Sequence, residues 1–195
     1  MEHVSGAYDR LLADRKRALL GGLEGTVVEI GPGTGANLPY FARGVQWIGI
    51  EPNAVLRERL RAGGVDARDG RAESLDLADG IADAVVSTAV LCSVDDLERS
   101  LDEARRVLKP GGQFVFIEHV AAPRGTALAV AQRVVRPVWS CCAGGCDPAR
   151  DTAAAIERAF PSVTLERFRL PLGPVAPHIA GIGRQDSCLR KNSTG

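Results

Sequence analysis

The chain has 195 residues, of which 45% are hydrophobic and 25% are charged. This composition is ordinary for a globular protein, and the length is enough for one domain, residues 1–195, with a proper core. Lysine plus arginine equals aspartate plus glutamate at 24 each. Because no overall positive field attracts nucleic acid, we expect none as a partner.

The sequence carries no targeting or membrane signal that we recognise. Met1–Arg10 is polar and mixed in charge, unlike a secretory signal peptide. The longest apolar run, Ala84–Cys92, is far shorter than the roughly 20 residues that a membrane-spanning helix needs. Five cysteines without a secretory signal favour reduced thiols, so we expect a cytoplasmic protein with no transmembrane segment.

Short apolar runs alternate with helical patterns along the chain. The predicted strands are Thr26–Ile30, Gln46–Ile50, Gly64–Arg68, Asp83–Ser87, Gln113–Glu118, Val163–Phe168 and Ala176–Arg184. The predicted helices are Tyr8–Leu20, Pro52–Ala62, Asp95–Leu108, Gly125–Val138 and Arg150–Phe160, and Lys109–Gly112 is predicted as a tight turn. This alternation predicts an α/β fold: a Rossmann-like, doubly wound, mostly parallel seven-stranded sheet with helices on both faces.

A glycine-rich segment, Glu29–Asn37, directly follows the first predicted strand. In a doubly wound sheet, ligands bind beyond the carboxyl ends of the strands. Glycines there permit positive φ angles and let the backbone approach a ligand closely. The spacing of Gly31, Gly33 and Gly35 is G-x-G-x-G, not the G-x-G-x-x-G of nicotinamide and flavin enzymes, which argues against an oxidoreductase.

The next three strand ends carry polar or glycine-containing loops. Glu51 ends the second predicted strand, where an acidic residue can bind both hydroxyls of a ribose. Gly70–Leu75 follows the third strand and suits the edge of an adenine, and Thr88–Val94 follows the fourth. Together these strand ends predict a nucleoside pocket.

These motifs resemble class I methyltransferases of the methyltransferase 11 type, through VVEIGPGTGAN, IEPN, GRAESL and ARRVLKPGGQFVF. The resemblance implies S-adenosyl-L-methionine as cofactor and S-adenosyl-L-homocysteine as product. Many relatives have aspartate where Arg71 stands, and arginine cannot accept a hydrogen bond, so we expect backbone atoms or another residue to recognise the adenine. The cofactor-binding residues implied are Glu29, Gly31, Gly33, Gly35, Asn37, Glu51, Pro52, Arg71, Ala72 and Thr88.

A narrower similarity covers other stretches of the chain. STAVLCSV, IEHVAAP, PVWSCCAGGCDPARD and PLGPVAPHIAGIG resemble the methyltransferase-like thiol S-methyltransferases. The resemblance implies a small-molecule acceptor with a thiol sulfur. The alternative is an O- or N-methyltransferase of a small metabolite or a lipid head group. We expect residues 24–120 to form the cofactor half, and residues 121–185 to supply the acceptor cap and the last strands.

Two residues are candidates for catalysis. His119 ends the fifth predicted strand and is the best candidate base, with a structural role as the alternative. Tyr8 opens the first helix and is the candidate for covering the cofactor, with simple packing as the alternative. Ionising a thiol of pKa about 8.5 at pH 7 costs only about 2 kcal/mol, so a weak base is sufficient.

The remaining cysteines and histidines carry weaker signals. Cys141, Cys142 and Cys146 form a lone C-x-x-x-C pattern, whereas structural zinc sites usually pair C-x-x-C elements. We therefore predict no metal, and we expect this segment to cap the acceptor pocket. Cys92 is expected to be an inert buried thiol, and His178 to be structural.

Overall fold

The structure is a computed structural model that describes residues 2–187, with side chains from residue 6 onward. Cys188 lies outside the described residues. Within residues 2–187, no helix is both long and apolar enough to cross a membrane.

Seven strands of the described chain form one sheet in the order β3-β2-β1-β4-β5-β7-β6. The first five strands pair in parallel, and β7 lies antiparallel between β5 and β6. The predicted mostly parallel seven-stranded sheet is therefore confirmed. The strands are β1 Thr26–Ile30, β2 Gln46–Ile50, β3 Asp66–Arg68, β4 Ala82–Thr88, β5 Leu108–His119, β6 Ser162–Arg169 and β7 Pro177–Arg184.

Four of the helices begin at a capping side chain that accepts backbone N–H bonds. The caps are Asn53, Asp96, Thr126 and Asp151, residue types whose short polar side chains satisfy the free N–H groups of a first turn. The helices are α1 Glu2–Leu20, α2 Ala54–Ala62, α3 Leu97–Val107, α4 Ala127–Cys142 and α5 Thr152–Ala159. The first helix begins earlier than the predicted start at Tyr8.

Alternate residues of each strand pack on opposite faces of the sheet. Val28 of β1 belongs to a core cluster with Leu101 of α3 and Ile156 of α5. Its neighbour Val27 packs in a second cluster with Leu20 of α1. Because successive side chains of a strand point to opposite sides, helices cover both faces, as the sequence predicted.

The predicted turn at Lys109–Gly112 is a bulge inside β5. Ala82 pairs with Leu108, but the next matched pair is Ala84 with Gln113, so the residues between them loop out of register. Gly111 adopts a φ of 76°, and Lys109 Nζ lies 2.7 Å from Asp83 Oδ2. This ion pair fastens the bulge to β4, so the strand resumes rather than ends.

Polar side chains hold the segment after β5 against the sheet. Gln132 of α4 is fully buried; its side chain accepts from the N–H of Ala122 at 2.7 Å and donates to the carbonyl of Pro174 at 2.8 Å. Arg150 donates to the carbonyls of Leu91 and Val94 in the loop after β4. These bonds hold α4 and its following loop over the carboxyl ends of β4 and β5.

Candidate functional site

The glycine turn after β1 uses its three glycines in two different ways. Gly31, Gly33 and Gly35 have φ angles of 60°, 58° and 80°, which only glycine adopts without strain. A Cβ at Gly31 would lie 2.8 Å from a methyl of Val90, and one at Gly35 would lie 2.7 Å from a methyl of Leu38. A Cβ at Gly33 would meet nothing within 4 Å, so Gly33 leaves space that a ligand can fill.

A first cavity of about 270 Å³ lies against this turn. Asn37 lines this cavity together with Glu29 and Thr88. Its Nδ2 donates to Glu29 Oε1 at 2.8 Å and to Thr88 Oγ1 at 3.0 Å. The other amide atom, Asn37 Oδ1, is buried and has no partner within the described chain. An unpaired buried acceptor is costly, so it marks a place for a donor group of a ligand. The predicted residues that line this cavity are Tyr8, Glu29, Gly31, Gly33, Asn37 and Thr88.

Glu29 is a fully buried carboxyl at the end of β1. It accepts hydrogen bonds from Asn37 and, at 2.8 Å, from the indole N–H of Trp47. Burial raises its pKa from 4.5 to about 7, because a low-dielectric environment disfavours the charged form. Glu29 thus orients Asn37 towards the cavity.

A second cavity of about 280 Å³ adjoins the first at Gly31 and contains Glu51, Pro52, Arg71 and Ala72 in its lining. The Glu51 carboxylate accepts from the backbone N–H of Gly33 and of Asn53, each at 2.9 Å. A carboxylate has about four lone-pair positions, so acceptor capacity remains for further hydroxyl groups.

Of the predicted cofactor residues, Arg71 has its side chain bound elsewhere, and Gly35 lies outside both cavities. The guanidinium of Arg71 forms an ion pair with Asp95, so the backbone rather than the side chain is left to meet a ligand there. Gly35 lines neither cavity; its position packs against Leu38 and Leu60. The structure thus brings nine of the ten predicted cofactor residues to two adjoining cavities.

A third cavity of about 560 Å³ lies between α4, the carboxyl end of β5 and the paired ends of β6 and β7, and Ala122, Gln132, Phe168 and His178 are among its lining residues. Ala129, Gln132 and Arg133 of α4 form one side of it. The segment Cys141–Cys146, predicted to cap the acceptor pocket, supplies none of the residues that line this cavity; its Gly144 lines the cavity that contains Glu51.

Tyr8 and His178 form a wall between the first and third cavities. Tyr8 lines the first, His178 lines the third, and the phenol oxygen is 3.1 Å from His178 Nε2. His178 Nδ1 lies 3.0 Å from the carbonyl oxygen of Ala176, which can only accept, so Nδ1 carries the proton and Nε2 accepts from Tyr8. Burial lowers the pKa of His178 to about 4 and raises the pKa of Tyr8.

His119 lies in a buried cluster with two thiols. Its Nε2 is 2.9 Å from Cys146 Sγ, and the sulfur of Cys92 completes a group whose three ligand atoms all lie within 4.8 Å of one another. The hydrogen bond from Cys92, together with those from His119 and Trp139, lowers the pKa of the Cys146 thiol below its usual range. His119 Nδ1 is buried without a partner among residues 2–187.

Sequence reasoning missed this cluster because its members come from three separate segments. No spacing rule links Cys92, His119 and Cys146. One signal was available: Cys92 follows β4, and His119 is the last residue of the neighbouring strand β5, so both lie at carboxyl ends of strands. The third residue is brought in by a non-local bond from the N–H of Asp147 to the carbonyl of Cys92 at 2.9 Å.

Comparison with known proteins decides the family. Residues 28–116 match the methyltransferase domain family. Over 194 residues the chain is 36% identical to human thiol S-methyltransferase TMT1A, covering 89% of this chain and 80% of that protein. The chain belongs to the thiol S-methyltransferase family of methyltransferases. Rat thiol S-methyltransferase TMT1B is 38% identical over 170 residues, covering 81% of this chain and 70% of the relative.

Solved structures agree on the fold of this methyltransferase. The YcgJ protein from Bacillus subtilis superposes with a TM-score of 0.72 at 17% sequence identity, covering 92% of this chain and 99% of that one. The sequence-based expectation of an S-adenosylmethionine-dependent methyltransferase is confirmed. The residues around the first two cavities fit that cofactor, because they offer an unpaired buried acceptor at Asn37, open space at Gly33 and a carboxylate at Glu51.

Proposed function

We propose that this methyltransferase transfers the methyl group of S-adenosylmethionine to the sulfur of a small thiol. The observation that carries the proposal is the extent of the similarity to TMT1A, which covers 89% of the chain. That extent exceeds the cofactor half matched by the general domain family, residues 28–116. It therefore includes segments that line the 560 Å³ cavity, where we place the acceptor.

The proposed cofactor orientation follows the two adjoining cavities. Gly31, Gly33 and Asn37 would hold the methionine part, because the unpaired Asn37 Oδ1 can accept from its ammonium group. Glu51 would bind the ribose hydroxyls, and the backbone at Arg71 and Ala72 would face the adenine. When bound, S-adenosylmethionine supplies a methyl group activated by a sulfonium.

The acceptor side requires little acid–base chemistry. Positioning nucleophile and electrophile alone can contribute about 7–11 kcal/mol towards the barrier, and a thiol is cheap to ionise. His119 is proposed as the residue beside the acceptor; its Nε2 faces Cys146, and its buried Nδ1 has no partner among the described residues. Tyr8 is proposed as a positioning residue, since its phenol is committed to His178.

The test is a product assay over acceptors that share one carbon skeleton. The purified protein is incubated with S-adenosylmethionine and a matched thiol, amine, alcohol, phenol or carboxylate, and both S-adenosylhomocysteine and the methylated product are measured by mass spectrometry. We expect turnover of the thiol. Turnover of an amine or phenol with no thiol product would replace this proposal by the N- or O-methyltransferase alternative.

A further inference from the structure

The buried group formed by Cys92, His119 and Cys146 has the composition of a metal site. Two sulfurs and one imidazole nitrogen lie within 4.8 Å of one another, and the three residues are 2%, 5% and 8% exposed. Zinc–sulfur bonds of about 2.3 Å and zinc–nitrogen bonds of about 2.0–2.1 Å place the ligand atoms of a tetrahedral site roughly 3.5–3.8 Å apart. The group would therefore enclose one ion after His119 Nε2 and Cys146 Sγ, which are 2.9 Å apart, move slightly away from each other.

We propose that Cys92 Sγ, His119 Nε2 and Cys146 Sγ bind one zinc ion, and that its fourth position receives the sulfur of the acceptor thiol. The second half of this proposal rests on the proposed function. Two thiolates and an imidazole favour zinc over the hard cations magnesium and calcium, which prefer oxygen ligands. Three protein ligands with one open position are typical of catalytic rather than structural zinc.

Neighbouring donors support the two sulfurs as metal ligands. The indole N–H of Trp139 donates to Cys146 Sγ at 3.2 Å, and Ser93 Oγ lies 3.4 Å from Cys92 Sγ. Hydrogen bonds to ligand atoms from a second layer of residues orient metal ligands and tune their basicity.

Two neighbours of the cluster line cavities that the reaction would use. Cys92 Sγ is 3.8 Å from the carbonyl oxygen of Ala89, and Ala89 lines the first cofactor cavity. On the other side, the His119 ring lies edge-on to His178, with ring centroids 6.2 Å apart, and His178 lines the acceptor cavity. None of the three cluster residues lines the third cavity, so we place the approach of the acceptor thiol past His178, on the side away from the cofactor.

The proposed step balances without a further reagent. Binding of the acceptor sulfur at the open position releases its proton to solvent, as metal binding by thiols does. That sulfur then forms a bond to the methyl carbon, while the bond from this carbon to the sulfonium breaks and leaves its electron pair on the cofactor sulfur. In this arrangement His119 acts as a ligand, and the proton of the acceptor does not pass through it.

The experiment measures metal binding directly, without methyl transfer. The full chain, reduced with a phosphine and stripped with a chelator, is titrated with zinc and with cobalt, and bound metal is counted after gel filtration. We expect one equivalent of zinc and intense sulfur-to-cobalt charge-transfer absorption. C92S and C146S should each weaken metal binding at least about 100-fold, more than the effect typical of outer-layer residues. The matched control is C141S/C142S, since both of these cysteines are exposed, and it should bind like the wild type.

The second arm adds a small alkyl thiol, or the alcohol of the same skeleton, to the cobalt protein without cofactor. The thiol should shift the cobalt spectrum, and the alcohol should not.

The metal site would be overturned if the wild type bound no more zinc per chain than C92S does. It would also be overturned if only C141S/C142S lost zinc binding. A Cys92–Cys146 disulfide in the isolated protein, with no zinc uptake after reduction, would also overturn it. Thiol methylation by such a metal-free protein would leave the proposed function standing, whereas zinc binding with an unshifted spectrum would overturn the fourth-ligand role.

Discussion

The carboxylate of Glu51 at the end of β2 accepts a hydrogen bond from the backbone N–H of Gly33 in the turn after β1, at 2.9 Å. This bond joins the two strand ends that border the adjoining cavities. It also fixes the carboxylate, because Glu51 accepts a second bond from the N–H of Asn53, which caps α2. The side chain is 5% exposed and is held in place before any ligand arrives.

Glu51→Ala should weaken binding of S-adenosylmethionine at least tenfold. Hydrogen bonds to a charged group contribute about 1.5–3 kcal/mol each, and about 1.4 kcal/mol corresponds to a factor of ten in affinity. Isothermal titration calorimetry measures the change. The control is Glu58→Ala, which removes an exposed carboxylate that pairs with Arg61 on α2. Equal affinities of the two folded variants would rule out Glu51 as the ribose ligand.

Gly33→Val should abolish cofactor binding, while Gly64→Val should not. Both positions have positive φ angles, 58° and 83°, and at both a Cβ would meet nothing within 4 Å. The two variants therefore carry comparable backbone strain, but only the side chain at Gly33 projects into the cofactor cavity. Circular dichroism checks folding, and titration with S-adenosylhomocysteine measures affinity. Normal binding by folded Gly33→Val would place the cofactor elsewhere.

Local sequence was sufficient to predict the strands that build the cofactor half. The bounds of β1 and β2 agree with the prediction, because each is a short apolar run that a glycine or proline ends. The antiparallel placement of β7 between β5 and β6 was not predictable in the same way. Strand direction depends on pairing between distant segments, and hydrophobic alternation is the same in both directions.

In the candidate site, too, the residues at strand ends could be predicted from the sequence, and the contacts between distant segments could not. Glycines and the acidic strand end were visible because the ligand meets consecutive residues at strand ends. The pair Tyr8 and His178 was not, since it joins the first helix to the start of β7. The cluster of Cys92, His119 and Cys146 is equally non-local. The acceptor side is assembled by tertiary packing, so its chemistry appears only in the folded chain.

Glu29→Gln should change how stability depends on pH. The folded-state pKa of Glu29 is raised from 4.5 to about 7 by burial, so between these values the folded state binds more protons than the unfolded state. The unfolding free energy of the wild type therefore falls as pH rises through this window, and the contribution of Glu29 is constant below about pH 4.5 and above about pH 7. At about 1.36 kcal/mol per pKa unit, the contribution is roughly 3–4 kcal/mol.

Urea unfolding at several pH values tests this prediction. Relative to the wild type, Glu29→Gln should gain stability steadily between pH 4.5 and 7, on top of a constant offset from its altered hydrogen bonds to Asn37 and Trp47. The matched control, Glu24→Gln, changes an exposed carboxylate and should parallel the wild type. A constant difference between Glu29→Gln and the wild type at all pH values would contradict the raised pKa.

Tyr8→Phe should lower stability and impair acceptor binding without a comparable loss of cofactor affinity. The substitution keeps the ring but leaves the Nε2 atom of His178 unpaired, and His178 is 1% exposed; an unpaired buried acceptor costs about 1–3 kcal/mol. His178 lines the acceptor cavity. Loss of the hydrogen bond that holds its ring should therefore raise the KM for the thiol more than the KM for S-adenosylmethionine. The control Tyr40→Phe removes a longer bond, 3.3 Å, to Asp9 and should have a smaller effect on urea unfolding. A KM change confined to the cofactor would show that Tyr8 acts only on the first cavity.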